Sequence, residues 1–241
     1  ASLYTEGGRD FADNSARFIF FSKAVTHLAR HLPWRPELVH THDWQVGLVP
    51  AMIRHQAEFE GWSGRPATCI SIHNLAFQGN YPWRDYVMAG LPQHLYTPEG
   101  LEFYGGFSCL KAGIVYSDYV TTVSPRYARE ITTREYGCGM EGVLQSRLGS
   151  MAGILNGVDY EEWRTEGNPF LRASYNAEDL AGKERSKGAL QEEVGLPPRP
   201  DVPLFGNVGR LSDQKGIDLL VPALEGLLAG EAQFVLLGSG D

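Results

Sequence analysis

Short apolar runs alternate with helical stripes along most of this chain, and several of the apolar runs end on a polar tip. Glu37-Leu-Val-His-Thr-His42 reads as a strand closing on HDW, with a helix from Gln45 to Gln56 behind it. Ala67-Thr-Cys-Ile-Ser-Ile72 is β-rich and ends in HNLAFQGNYP. Asp118-Tyr-Val-Thr-Thr-Val123 predicts a further strand, after which Ser124 and Pro125 supply an N-cap and a first-turn proline for the helix RYAREI. Later, Val202-Pro-Leu-Phe205 leads into GNVGRLSDQKG. Ile217, Leu220, Val221, Leu224, Leu227 and Leu228 then follow the spacing of a helix that packs one face on a sheet. Pro222 interrupts that stripe and requires the helix to begin near Asp218, because only first-turn N–H groups go unused inside a helix. Gln233-Phe-Val-Leu-Leu237 reads as a last strand before GSGD. Strand, polar tip and helix repeated in this way predict an α/β fold with doubly wound parallel sheets.

Two stretches break the rhythm. Leu91 to Gly106 is rich in Gly, Pro and aromatic residues without a period, which predicts a long loop or a lid over a cleft. Leu148 to Asn156, LGSMAGILN, clusters glycine around a new apolar strand and predicts a junction between a domain of residues 1–152 and one of residues 153–241. A charged helical stretch, NAEDLAGKERSKGALQEEVG, and a proline-rich connector, LPPRPDVP, follow. Because a parallel sheet does not normally stop after one such unit, the chain is expected to be a piece of a larger fold, lacking residues at both ends.

Charge and composition then narrow the partners. With 29 acidic against 21 basic residues, the formal net charge of −8 makes nucleic acid an unexpected partner, while a small anion in a local pocket stays open. No run approaches the roughly 20 apolar residues of a membrane span, so no membrane is expected either. The stretch ASLYTEGGRDFADNSARF lacks the basic-then-apolar pattern of a secretory signal. Cys69, Cys109 and Cys138, an odd number without CxxC spacing, are expected as reduced thiols in an intracellular compartment.

Active residues of parallel sheets collect at the carboxyl ends of the strands. Three such ends carry suggestive tips: His42-Asp43-Trp44, His73-Asn74, and Gly209-Arg210 with Lys215. They belong to two sheet units, so a cleft between units is the expected site. Arg210 and Lys215 either pair with surface carboxylates or hold an anion. A lysine point charge and an arginine fork beside Gly209, Gly216 and a helix N-terminus suit a diphosphate. The chain holds no GxxxxGK[ST], which excludes a P-loop. His40, His42 and Asp43 look like metal ligands at first sight, but the two histidines share one strand face and no third ligand stands nearby. A metal is therefore not expected, and Asp43 reads as a hydroxyl-binding or acid/base carboxylate. His73 either caps a turn or contacts a sugar or carbonyl. GCGMEG offers Glu141 as a candidate buried acid in a glycine-rich turn. Trp44, Tyr81, Trp83 and Tyr104 are expected in loops, where rings stack on sugar faces.

Together, HTHDWQVGLVPA, SIHNLAFQGNYP, GLEFYGGFSCLKAGIVYSDYVTTVSPRYAREI, YGCGMEGVLQSR, GILNGVD and NVGRLSDQKGIDLL closely resemble the bacterial glycogen synthase and plant starch synthase family. The matches run in order over nearly the whole chain. The resemblance implies a GT-B glycosyltransferase, with two Rossmann-like parallel-sheet domains facing a cleft, both incomplete in this chain. It implies metal-independent, retaining transfer of glucose from ADP-glucose to the non-reducing end of an α-1,4-glucan, in bacterial cytoplasm or plastid stroma. The expected partners are then a nucleotide sugar and an α-glucan acceptor.

Carried over by motif, Arg210 and Lys215 of GRLxxQKG contact the donor diphosphate, with Gly209 beside them. His73 lies next to the transferred glucose, Asn156 of LNGVD near the donor, and Asp43, Asn74 and Glu141 on the acceptor or sugar side. The family's KxGGL loop and its later glutamate and GGL element fall outside residues 1–241, so this chain alone is expected to be inactive. A GT-B transferase using UDP-glucose, or a catalytically silent glucan-binding homologue, are the competing expectations.

Overall fold

The structure, a computed structural model, describes residues 3–6 and 9–240. The end stretches ASLYTEGGRD and GSGD include residues 1, 2, 7, 8 and 241, which lie outside the described residues. The chain divides into two compact units, Ala1–Asn156 and Gly157–Asp241.

The first unit is built on four strands, β1 (Leu38–His42), β2 (Ala67–Ile72), β3 (Tyr119–Thr122) and β4 (Met151–Gly153). They pair in parallel in the order β1-β2-β3-β4. Register decides what each face carries. Thr41, Ile70, Val120 and Met151 stand opposite one another, and with Ile72 they form the face turned to the core. His40 opposite Cys69 and Tyr119, and His42 opposite Ser71 and Thr121, share the other face.

Among the helices of this unit are α1 (Asn14–His31), α2 (Leu48–Phe59), α3 (Cys109–Tyr116) and α4 (Pro125–Glu130). Leu48, Ala51 and Met52 of α2 and Leu110, Ala112 and Ile114 of α3 join Ile70, Ile72 and Val120 in one buried cluster. Two glycines let these elements approach. A Cβ on Gly47 would stand 2.1 Å from the Cys109 carbonyl oxygen, and one on Gly113 would stand 2.2 Å from Cδ1 of Ile70. The cap predicted for α4 is present, with Ser124 Oγ accepting from the Tyr127 N–H at 2.9 Å and proline at the first helical position. Helix α2 starts later than predicted. The chain after β1 first makes a short 3₁₀ turn at Trp44–Val46, which drives Trp44 inward, edge-on to Phe18 at 4.8 Å.

Leu91 to Gly106, expected as a long loop or lid, is irregular chain with one 3₁₀ turn as far as Leu101 and ends in a hairpin. Glu102–Phe103 and Gly106–Ser108 form a hairpin that also pairs with Asn80–Tyr81. Its two turn residues, Tyr104 and Gly105, both have positive φ (47° and 82°), the geometry that suits the right-handed twist of a hairpin. The buried ammonium of Lys111 donates to the Pro98 and Glu102 carbonyls at 2.5 and 2.6 Å and ties the segment to α3.

Where β2 and β3 begin, Arg65 forks onto both oxygens of Asp118 at 2.7 Å each, and Asp118 also accepts the Thr68 N–H at 2.7 Å. The hydrogen bonds from Arg65, chief among the causes, hold the Asp118 carboxyl well below the usual carboxylate range. A depressed folded pKa means this stabilisation is complete above about pH 4, the ordinary aspartate value, and is lost as pH falls through the folded value. Asp118→Asn should therefore cost about 1–2 kcal/mol near neutral pH, a range reduced for a side chain 35% exposed, and should flatten the acid limb of stability. Thermal melts of both proteins from pH 7 down to pH 3 check this, and matching curves would show that the fork holds nothing.

The second unit carries α5 (Ala181–Glu193), β5 (Leu204–Val208), α6 (Ile217–Ala229) and β6 (Gln233–Leu237), with β5 and β6 parallel. Helix α6 begins at Ile217, so Pro222 sits at its sixth position, one turn deeper than an unused N–H would allow, and offers nothing to the Asp218 carbonyl. Its predicted stripe is only half covered: Ile217, Leu220, Leu224 and Leu227 are partly buried, while Val221 and Leu228 are exposed.

Candidate functional site

In the first unit the site forms at the carboxyl ends of β1 and β2. Because His42 stands opposite Ser71, the residues just past these two ends, Asp43 and His73, come together. Asp43 holds φ 58° and ψ −169°, a conformation of glycine rather than of aspartate. Its N–H donates to the Ser71 carbonyl at 2.9 Å, and its Oδ1 accepts the His73 N–H at 2.7 Å. The carboxylate thus fixes the main chain of His73, while the His73 side chain stays exposed. Asn74 Oδ1 accepts from the Ala76 N–H at 3.1 Å, so this residue shapes the turn after His73.

His40, His42 and His73 lie in a row, with ring centroids 4.3 Å apart for the first pair and 5.2 Å for the second. His42 Nδ1 and His73 Nε2 are 2.9 Å apart, a hydrogen bond between rings. His40 Nε2 lies 2.7 Å from Ser71 Oγ, which lies 2.5 Å from Thr121 Oγ1. Burial, then the neighbouring His40 and His73, lower the His42 pKa, and Asp43 only offsets this. Among the described residues no three His, Cys, Asp or Glu side chains group as a metal site would require.

Two supports of this site escape a reading by motif alone. The Tyr127 hydroxyl, from α4, accepts the Leu75 N–H at 3.0 Å, and Gln78 Nε2 donates to the Cys138 carbonyl at 3.0 Å. The second bond ties HNLAFQG to GCGMEG. Cys138 has φ 50° there, and Gly139 follows at 81°. Glu141 opens a five-residue helix, half-buried against Gly137, with Oε2 buried and lacking a hydrogen-bond partner among the described residues. Asn156 is exposed, in irregular chain beyond β4. Of the aromatic residues expected in loops, Trp44 is core, Tyr81 is half-buried in a strand, and Trp83 opens a helix stacked on Tyr86. Tyr104, at the hairpin tip, is 84% exposed.

In the second unit, Gly209, Arg210 and Lys215 follow the carboxyl end of β5. The chain makes a 3₁₀ turn at Asp213–Lys215 and swings through Gly216 at φ 70° into α6. That left-handed residue favours glycine. Both cations are exposed, and neither forms an ion pair or a side-chain hydrogen bond among the described residues. The pairing with surface carboxylates left open by the sequence is not found among the described residues. Gly209 leaves open space where a side chain would stand. A cavity of about 750 Å³ in this unit, lined by Phe170, Tyr175, Lys183, Lys187 and Phe205, includes neither cation.

A family profile described as the starch synthase catalytic domain matches residues 1–146. The chain is 49% identical to a glycogen synthase of Thioalkalivibrio sulfidiphilus, over 97% of this chain and 48% of the relative. It is 47% identical to a glycogen synthase of Anaeromyxobacter dehalogenans, over 99% and 50% respectively. A solved structure, the catalytic domain of starch synthase IV from Arabidopsis thaliana bound to ADP and acarbose, superposes with a TM-score of 0.85 at 34% identity. That match covers 96% of this chain and 48% of the other. The chain therefore spans about half the length of the relatives it matches.

Proposed function

The chain belongs to the starch synthase catalytic domain family, and from that premise we propose that it is part of a retaining GT-B glucosyltransferase. In this reading the enzyme moves glucose from ADP-glucose to the non-reducing end of an α-1,4-glucan. The observation that carries the reading is the pair Arg210 and Lys215, two cations without carboxylate partners among the described residues, at the carboxyl end of a parallel strand and just before a helix N-terminus. The ADP and acarbose bound to the Arabidopsis starch synthase are what such a site would take, a nucleotide diphosphate and a glucan-like chain.

As the bond between glucose and diphosphate breaks, negative charge gathers on the leaving group and positive charge on the sugar ring. Arg210 and Lys215 neutralise the first more in the transition state than before it, in the place a metal would take, so neither metal nor cofactor enters. Asp43 and His73 serve the sugar, with Asn74 and Glu141 on the acceptor side and Asn156 and Gly209 beside the donor. No helix among the described residues is long and apolar enough to cross a membrane. A cytoplasmic setting, or the plastid stroma, belongs to the proposal.

The test is incubation of the full-length protein with labelled ADP-glucose or UDP-glucose and glycogen, followed by chain-length analysis. Label in α-1,4 extensions from ADP-glucose is the expected result. Transfer from UDP-glucose alone would overturn the donor assignment, and binding of glycogen without transfer from either donor would overturn the enzyme assignment.

A further inference from the structure

His73 is held by its main chain from two directions, through Asp43 at its own N–H and through the Tyr127 hydroxyl at Leu75. Neither contact orients its ring. The ring has one described partner, Nδ1 of His42 at 2.9 Å. His42 is available for this because His40, packed against it with centroids 4.3 Å apart, directs its own Nε2 to Ser71.

We propose that His42 is a positioning residue that locks the His73 ring in one orientation and one tautomer, leaving Nδ1 as the nitrogen His73 offers to a substrate. The proposal rests on the transferase reading for what that substrate is. A hydrogen bond between two neutral imidazoles uses one N–H and one lone pair. If His42 Nδ1 carries the hydrogen, His73 Nε2 accepts and His73 must be protonated at Nδ1. If His42 Nδ1 accepts, His73 is protonated at Nε2 and Nδ1 is bare. Either arrangement leaves a sugar hydroxyl a single, defined partner. The groups facing His42 are the His40 and His73 rings and the Asp43 carboxylate. Burial and the two rings oppose a charge on His42, which favours its neutral ring as the partner of His73.

Side-chain nitrogen NMR with labelled histidine tests this directly, since the chain has only seven histidines to assign. In the unaltered protein, His73 should give the well-separated nitrogen shifts of one tautomer. His42→Phe keeps a flat ring against His40 but removes both nitrogens, and should draw the two His73 shifts together as the tautomers mix. His42→Asn replaces Nδ1 with an amide at about the same place and should restore the single form. In the full-length protein, His42→Phe should lower kcat about tenfold with KM little changed, the low end of what losing an orienting partner costs a functional histidine, and His42→Asn should recover part of it. Unchanged His73 shifts in His42→Phe, or mixed tautomers in the unaltered protein, would overturn the proposal. Tautomer mixing in His42→Phe together with no glucosyl transfer by the unaltered protein would sink the transferase reading and leave the pairing standing.

Discussion

Arg210→Ala and Lys215→Ala, each made in the full-length protein, are expected to lower kcat for glucosyl transfer by about 10²–10³, the usual cost of removing one group aimed at developing charge. The loss should fall on kcat more than on KM, because the diphosphate is more negative as it leaves than while it is still bonded to glucose. Arg210→Lys should recover only part of the rate, since an ammonium cannot bridge two oxygens as a guanidinium fork does. Melting temperatures should not move. Both side chains are exposed and make no ion pair or side-chain hydrogen bond among the described residues, so their removal takes nothing from the fold. A substituted protein that melts normally and transfers glucose at the original rate would remove the clamp from the mechanism.

The proposed clamp is readable in the sequence because it depends on local order: a strand, a glycine, an arginine, then a lysine and glycine before a helix. The same is true of β2, which occupies the predicted Ala67–Ile72, and of the Ser124 cap. The features that escape such a reading depend on register or on three-dimensional packing. His42 and His73 stand 31 positions apart, and only the parallel pairing of β1 with β2 brings their rings together. Trp44 lies beside Asp43 and reads as a loop aromatic, yet the 3₁₀ turn after β1 sends it into the core. The hairpin from Glu102 to Ser108 has strands of two and three residues, too short for a period of two to show.

Asp43→Gly is expected to leave the fold as stable as before, or more so, while kcat falls about a hundredfold, and this contrast separates strain kept for function from strain that folding happens to impose. At φ 58° and ψ −169° an aspartate costs on the order of 1–3 kcal/mol that glycine largely escapes. Packing of Trp44 and the bond from the Asp43 N–H to the Ser71 carbonyl hold the backbone in that shape, and glycine can keep both. It cannot supply Oδ1, and without it the His73 N–H loses its acceptor. A shift of about 1 Å in a group proposed to meet the reacting sugar is enough for a loss near 10². Asp43→Asn retains an acceptor oxygen on the same strained backbone, so it should keep more activity than glycine at a stability close to that of the unaltered protein. Thermal melts read the first half of the prediction and steady-state rates the second. If Asp43→Gly melts lower and works normally, the carboxylate is a structural prop, and the sugar-side role falls to His73 alone.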